Sequence, residues 1–125
     1  MFIKVNPNPM KKNVGDCSVR AICLSEQITW DKAFLELCTM AAVEKDMPSS
    51  NEVIDKYLLS LGYKKGVIYN TCPDCYTIEK FCLDHKTGTY IVATGTHVVC
   101  VNDGNYLDTW DSGDKVAIYY YEKRY

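Results

Sequence analysis

Apolar and polar positions along the 125-residue chain divide it into a helical first half and a strand-rich second half. From Cys17, the residues Ala21, Leu24 and Ile28 recur at helical spacing, which predicts a helix with one buried face. Trp30, Phe34, Leu37, Cys38 and Ala41 mark a second helix over residues 30–43. A third helix, capped by Ser50 or Asn51, carries Val53, Ile54, Tyr57, Leu58 and Leu61 and stops at Gly62. Residues 77–85, with Ile78, Phe81 and Cys82 on one side, form the fourth. Residues 63–69, 89–94, 98–101, 106–110 and 116–121 read as strands. Asn6-Pro7-Asn8-Pro9 is extended, because its prolines cannot continue a helix. The expected class is therefore α+β, mostly antiparallel, in one domain spanning residues 1–125.

One turn carries more information than the others. Asn102-Asp103-Gly104-Asn105 is a strong hairpin signal between two apolar runs. A two-residue turn at Asp103-Gly104 sets Val99 opposite Asp108 and His97 opposite Trp110. Side chains alternate along a strand, so His97, Asp108 and Trp110 share a face. Asp111 falls on the other face unless a bulge intervenes.

Composition narrows the setting. Fourteen Lys and Arg against sixteen Asp and Glu leave a net charge of −2, which argues against nucleic acid as the partner. No apolar stretch approaches membrane-spanning length, and the first residues lack the apolar centre of a signal peptide, so a cytoplasmic location is expected. Seven cysteines are an odd number, which excludes a fully paired disulfide framework. Cys72-Pro73-Asp74-Cys75 with Cys82 and His85 has the spacing of a zinc set, and the C-x-x-C pair alone that of a redox pair. Cys82 belongs to the apolar side of the fourth helix, and His85 to its end beside Lys86 and Gly88. No metal and no cofactor are therefore expected, and these cysteines, with Cys23, Cys38 and Cys100, are read as structural. The tyrosines Tyr119, Tyr120, Tyr121 and Tyr125 are read as half-buried packing.

The chemistry concentrates at Cys17, His97 and Asp108. Gly15-Asp16-Cys17 opens the first helix, with Asp16 as its N-cap. Unpaired N–H groups and the helix dipole there favour a thiolate and can receive an oxyanion. His97 is the base or acid that a thiol nucleophile needs, and Asp108 the carboxylate that orients it by accepting its Nδ1–H. Asp111 is the alternative third member. Trp110, beside His97, is a candidate substrate-binding residue.

These stretches resemble the papain-like cysteine peptidases, above all the small single-domain bacterial and phage type, and more distantly the double-glycine leader peptidases. The resemblance rests on the Asn-Pro-rich start, Gly15-Asp16-Cys17 with Val19-Arg20-Ala21-Ile22, Gly88-Thr89-Tyr90-Ile91 with His97-Val98-Val99, and Asp108-Thr109-Trp110-Asp111-Ser112. It implies a nucleophile at Cys17, a base at His97, a third member at Asp108, and a helical half packed on a C-terminal antiparallel sheet. Papain-like enzymes carry a glutamine before the nucleophile as an oxyanion donor; here Lys11, Lys12 and Asn13 occupy that stretch, and Asn13 has the matching amide. The expected function is hydrolysis of a peptide or isopeptide bond in a protein or peptide substrate, through a thioester. The alternative is a phage or mobile-element protein that binds or deamidates a host protein through the same cleft.

Overall fold

The chain opens with a three-residue strand, β1 (Phe2–Lys4), and then builds three helices, α1 (Cys17–Glu26), α2 (Trp30–Glu44) and α3 (Asn51–Ser60). Strand β2 (Lys64–Val67) and helix α4 (Ile78–Asp84) lead into β3 (Thr89–Ala93), β4 (Val98–Asn102), β5 (Asn105–Asp108) and β6 (Tyr119–Glu122). A computed structural model describes residues 1–69 and 73–124. Cys72 and Tyr125, both named in the sequence reading, lie outside the described residues.

Local chemistry explains the helix boundaries. Thr29, Ser50 and Thr77 are N-caps whose hydroxyls accept from the backbone N–H of Lys32, Glu52 and Lys80 at 3.1, 3.2 and 3.2 Å. Helix α3 ends where expected, with Gly62 at φ +93°.

The strands form one six-stranded sheet in the order β1-β5-β4-β3-β6-β2. Every neighbouring pair is antiparallel except β1 with β5, which is parallel with Phe2 facing Tyr106 and Lys4 facing Asp108. The sheet is mostly antiparallel, as expected, and its one parallel pair comes from β1, a strand the sequence reading did not include. Three residues show no alternation, and a parallel partner so distant in sequence leaves no turn signal. The last strand is also shorter than expected, because Val116 instead forms an isolated bridge with Thr77.

Helices cover both faces. On one side Leu37, Val53, Leu58 and Ile22 pack against Ile91, Ala93, Cys100 and Tyr121. On the other, Ile78 and Phe81 of α4 pack against Val92, Val99, Val101 and Tyr106. Helix α1 lies between α2 and strands β3, β4 and β5. Accordingly it is buried on nearly every side, through Ser18, Val19, Arg20, Ala21, Ile22, Cys23 and Ser25, rather than on one face. Its N-terminus, with Cys17, is brought to the end of the β4–β5 hairpin.

Candidate active site

With Cys17 the first helical residue, Asp16 is the N-cap of α1, as expected. Its carbonyl accepts from Arg20 N at 2.9 Å and closes the first turn, but its carboxylate makes no capping bond. That carboxylate instead takes a close ion pair from Arg20, the indole N–H of Trp30 at 2.9 Å and the Asn8 amide at 3.4 Å. The consequence is chemical: the first-turn N–H groups around Cys17 receive no side-chain cap, and the helix dipole acts on the thiol.

His97 arrives from the opposite element. Asp103 and Gly104 both have positive φ, +49° and +80°, which is the geometry of a two-residue primed turn. The register follows: Asn102 faces Asn105, Val101 faces Tyr106 and Cys100 faces Leu107. The paired residues end at Cys100 and Leu107; His97 just precedes β4, Asp108 closes β5, and Trp110 lies beyond it in a bend. His97 Nε2 and Asp108 Oδ2 are 2.6 Å apart, and the Trp110 ring lies over the imidazole at 4.9 Å between centroids. The ring nitrogen on Asp108 is Nε2, correcting the expected Nδ1; Nδ1 is the nitrogen left for Cys17. Cys17, His97 and Val98 line one cavity, and there the His97 ring and the N–H of Val98 favour the Cys17 thiolate.

Asp108 is 2 % exposed and saturated with donors. Besides His97, Oδ2 accepts from Ser112 Oγ at 2.7 Å, while Oδ1 accepts from Thr109 N at 2.8 Å and Arg20 Nη2 at 3.3 Å. Arg20 thus joins Asp108 to Asp16 in one buried network. Asp111 is exposed and accepts from the Tyr106 hydroxyl and Gly113 N, so it belongs to a different set of contacts. Sequence reasoning missed Arg20 and Ser112. The available signal was Asp16 and Arg20 at i and i+4 inside an otherwise apolar run.

The electrostatics follow from these contacts. Burial opposes the Cys17 thiolate, but the His97 and Val98 hydrogen bonds and the positive charges of His97 and Arg20 bring its pKa below that of an ordinary thiol. Burial likewise opposes the imidazolium, and the bonds to Asp108 and Cys17 overcome it, raising His97 to about 9. Asp108 is held below the usual carboxylate range: burial raises it, and the bonds from His97 and Ser112 prevail. By contrast, burial pushes Cys23 and Cys82 up to about 11 and Cys100 to about 12. An acidic thiol beside a basic imidazole favours the thiolate, the form in which a cysteine acts as a nucleophile.

Cys17 and His97 line a cavity of about 180 Å³ together with Gly15, Ser49, Asn51 and Ile54. Asn13, the expected second oxyanion donor, is exposed and lines a different cavity of about 470 Å³, with Asn6, Thr109 and Trp110. The Asn51 amide is within the Cys17 cavity, but its Nδ2 donates to Gly95 O at 3.0 Å. Among the described residues, no cluster of three or more His, Cys, Asp or Glu side chains is arranged to hold a metal. Cys82 is buried in α4, and His85 stacks on Phe81 and bonds through Nδ1 to its carbonyl at 2.8 Å. Among the described residues, no helix is long and apolar enough to cross a membrane. No family model, no curated protein and no solved structure matches the chain.

Proposed function

We propose that this chain is a papain-like cysteine hydrolase that cleaves an amide bond in a protein or peptide. The observation that carries the reading is one cavity lined by Cys17, at a helix start, and by His97, whose ring is held by the buried Asp108 at 2.6 Å. The Cys17 thiolate attacks the amide carbon, and the oxyanion is received by the uncapped N–H groups of α1. His97 passes its proton to the departing amine, leaving a thioester on Cys17. A water molecule then gives a proton to His97 and attacks the thioester, releasing the acid and restoring the Cys17 thiolate beside the His97 imidazolium. Asp108 keeps the imidazolium charged and aimed, and Trp110 shields that ion pair from water. A cytosolic site suits a nucleophile that must stay reduced.

Turnover of a mixed peptide library, read by mass spectrometry, tests this. Cleavage is expected from the wild-type chain and none from Cys17→Ala. Asp108→Ala should lower the rate roughly ten- to a thousand-fold, with Asp111→Ala close to wild type. Cleavage that persists in Cys17→Ala contradicts the proposal, as does equal damage from both aspartate variants.

A further inference from the structure

Arg20 stands behind the third member of the site, buried between the buried carboxylates of Asp16 and Asp108. Its Nη1 is in close contact with Asp16, and its Nη2 lies 3.3 Å from Asp108 Oδ1. The other oxygen of Asp108, Oδ2, faces His97 Nε2 at 2.6 Å. One carboxylate is thus shared by a guanidinium on one oxygen and an imidazole on the other. Arg20 also follows Cys17 by three residues in α1, which makes the two neighbours along one helical turn.

Stability alone gives no reason for this arrangement. Burying charges costs free energy even when they are paired, and well-packed apolar residues of similar volume commonly serve as well or better. Val19, Ala21 and Ile22 beside it are apolar and buried, so an apolar residue would suit position 20. The chemistry does give a reason. Asp108 must be charged to hold the imidazolium, and the same charge opposes a thiolate at Cys17. A guanidinium keeps its proton at every pH at which Cys17 and His97 titrate, so it offsets that charge throughout.

The neighbours of α1 supply no competing charge at this place. The helix packs on α2, β3, β4 and β5. From α2 comes Trp30, a neutral indole that donates to Asp16 at 2.9 Å. From β3 come Ile91 and Ala93, which do not titrate. Cys23 of α1 and Cys100 of β4 are pushed up by burial to about 11 and about 12, and stay neutral. Glu26 and Lys123 pair with each other at the far end of α1. What faces Arg20 is Asp16 and Asp108, with Cys17 and His97 beyond them.

We propose that Arg20 is a positioning residue of the site: its fixed charge aims Asp108 at His97 and offsets the carboxylate's charge at Cys17. The proposal rests on the hydrolase reading and adds the residue that sets the pH range in which the thiolate–imidazolium pair exists.

Two titrations on the full chain test it. Cys17 is followed by the pH dependence of its alkylation by iodoacetamide, and His97 by the chemical shifts of its ring. The other histidine, His85, is told apart because its signals remain in His97→Ala. In Arg20→Gln the cation is lost and both carboxylates remain, so both titrations should move up by roughly one unit. Alkylation of Cys17 at pH 6 should then fall about ten-fold. Arg20→Lys keeps the charge and should leave both titrations near those of the wild type. Asp16→Asn removes a negative charge instead, and both should move down. A merely structural role gives another pattern: a loosened Asp108 releases His97, which moves down while Cys17 moves up. That pattern in Arg20→Gln, or titrations that neither Arg20→Gln nor Asp16→Asn moves, overturns the proposal and leaves the hydrolase reading standing. Circular dichroism checks the fold, and if Arg20→Gln does not fold, the direction of the shifts in Asp16→Asn decides. A wild-type Cys17 that titrates like an ordinary thiol overturns both.

Discussion

Arg20 is 7 % exposed and lies between two carboxylates, in close contact with Asp16 and 3.3 Å from Asp108. Removing one partner of a buried ionic set leaves the others without compensation, which costs far more than a surface pair is worth. Arg20→Met should therefore destabilise the protein by roughly 3–5 kcal/mol in denaturant unfolding, with Arg20→Lys, which keeps the charge but not the fork, milder. A loss below about 1 kcal/mol would mean the network is peripheral. Arg20 also shows where residue-level reading stops. Cys17, His97 and Asp108 were legible because reactive residue types coincide with a helix start and a hairpin register. A buried arginine in an amphipathic reading of α1 looks like a solvated one. Only the tertiary placement of α1, covered on nearly every side, forces Arg20 to find partners. The choice of Nε2 for Asp108 was likewise illegible, since ring orientation depends on where Cys17 stands relative to β5.

At the scale of elements, the β4–β5 hairpin is the part on which the site most depends. Its two-residue turn sets the pairing of β4 with β5, and His97, Asp108 and Trp110 come together at the far end of that hairpin. Gly104 has φ +80°, and a Cβ there would come within 3.3 Å of the Cys82 carbonyl. Gly104→Ala should cost about 1–2 kcal/mol in stability from the left-handed backbone alone. Slippage by one residue would send Asp108 to the opposite face, so Cys17 alkylation should slow in the same variant. Stability and alkylation rate both unchanged would show that the turn does not set this geometry. The turn was readable because Asp-Gly chemistry is local. Strand β1 was not, because its identity comes from lying parallel beside β5. Asp16 is the N-cap as read, but its carboxylate is drawn to the Arg20, Trp30 and Asn8 donors, contacts that local sequence does not show.

For the whole molecule, the ion pair at the meeting point of helices and sheet makes both stability and chemistry depend on pH. His97 is raised to about 9 in the folded chain, so its contribution is fully present below its unfolded value of about 6.5 and is lost as pH rises through about 9. Cys17 and Asp108 are lowered, so theirs are present above their unfolded values and lost as pH falls through the folded ones. Between the Cys17 and His97 titrations the thiolate–imidazolium pair persists. The most direct test of the account is the rate of Cys17 alkylation by iodoacetamide as a function of pH, mapped by mass spectrometry in the wild-type chain and in His97→Ala. Wild-type Cys17 should be labelled rapidly at about pH 6, where an ordinary thiol with a pKa near 8.5 is almost wholly protonated. In His97→Ala that labelling should move up to or beyond the ordinary thiol range, because burial then acts without the imidazolium. A wild-type Cys17 that titrates like an ordinary thiol, or a profile that His97→Ala leaves in place, would contradict the account.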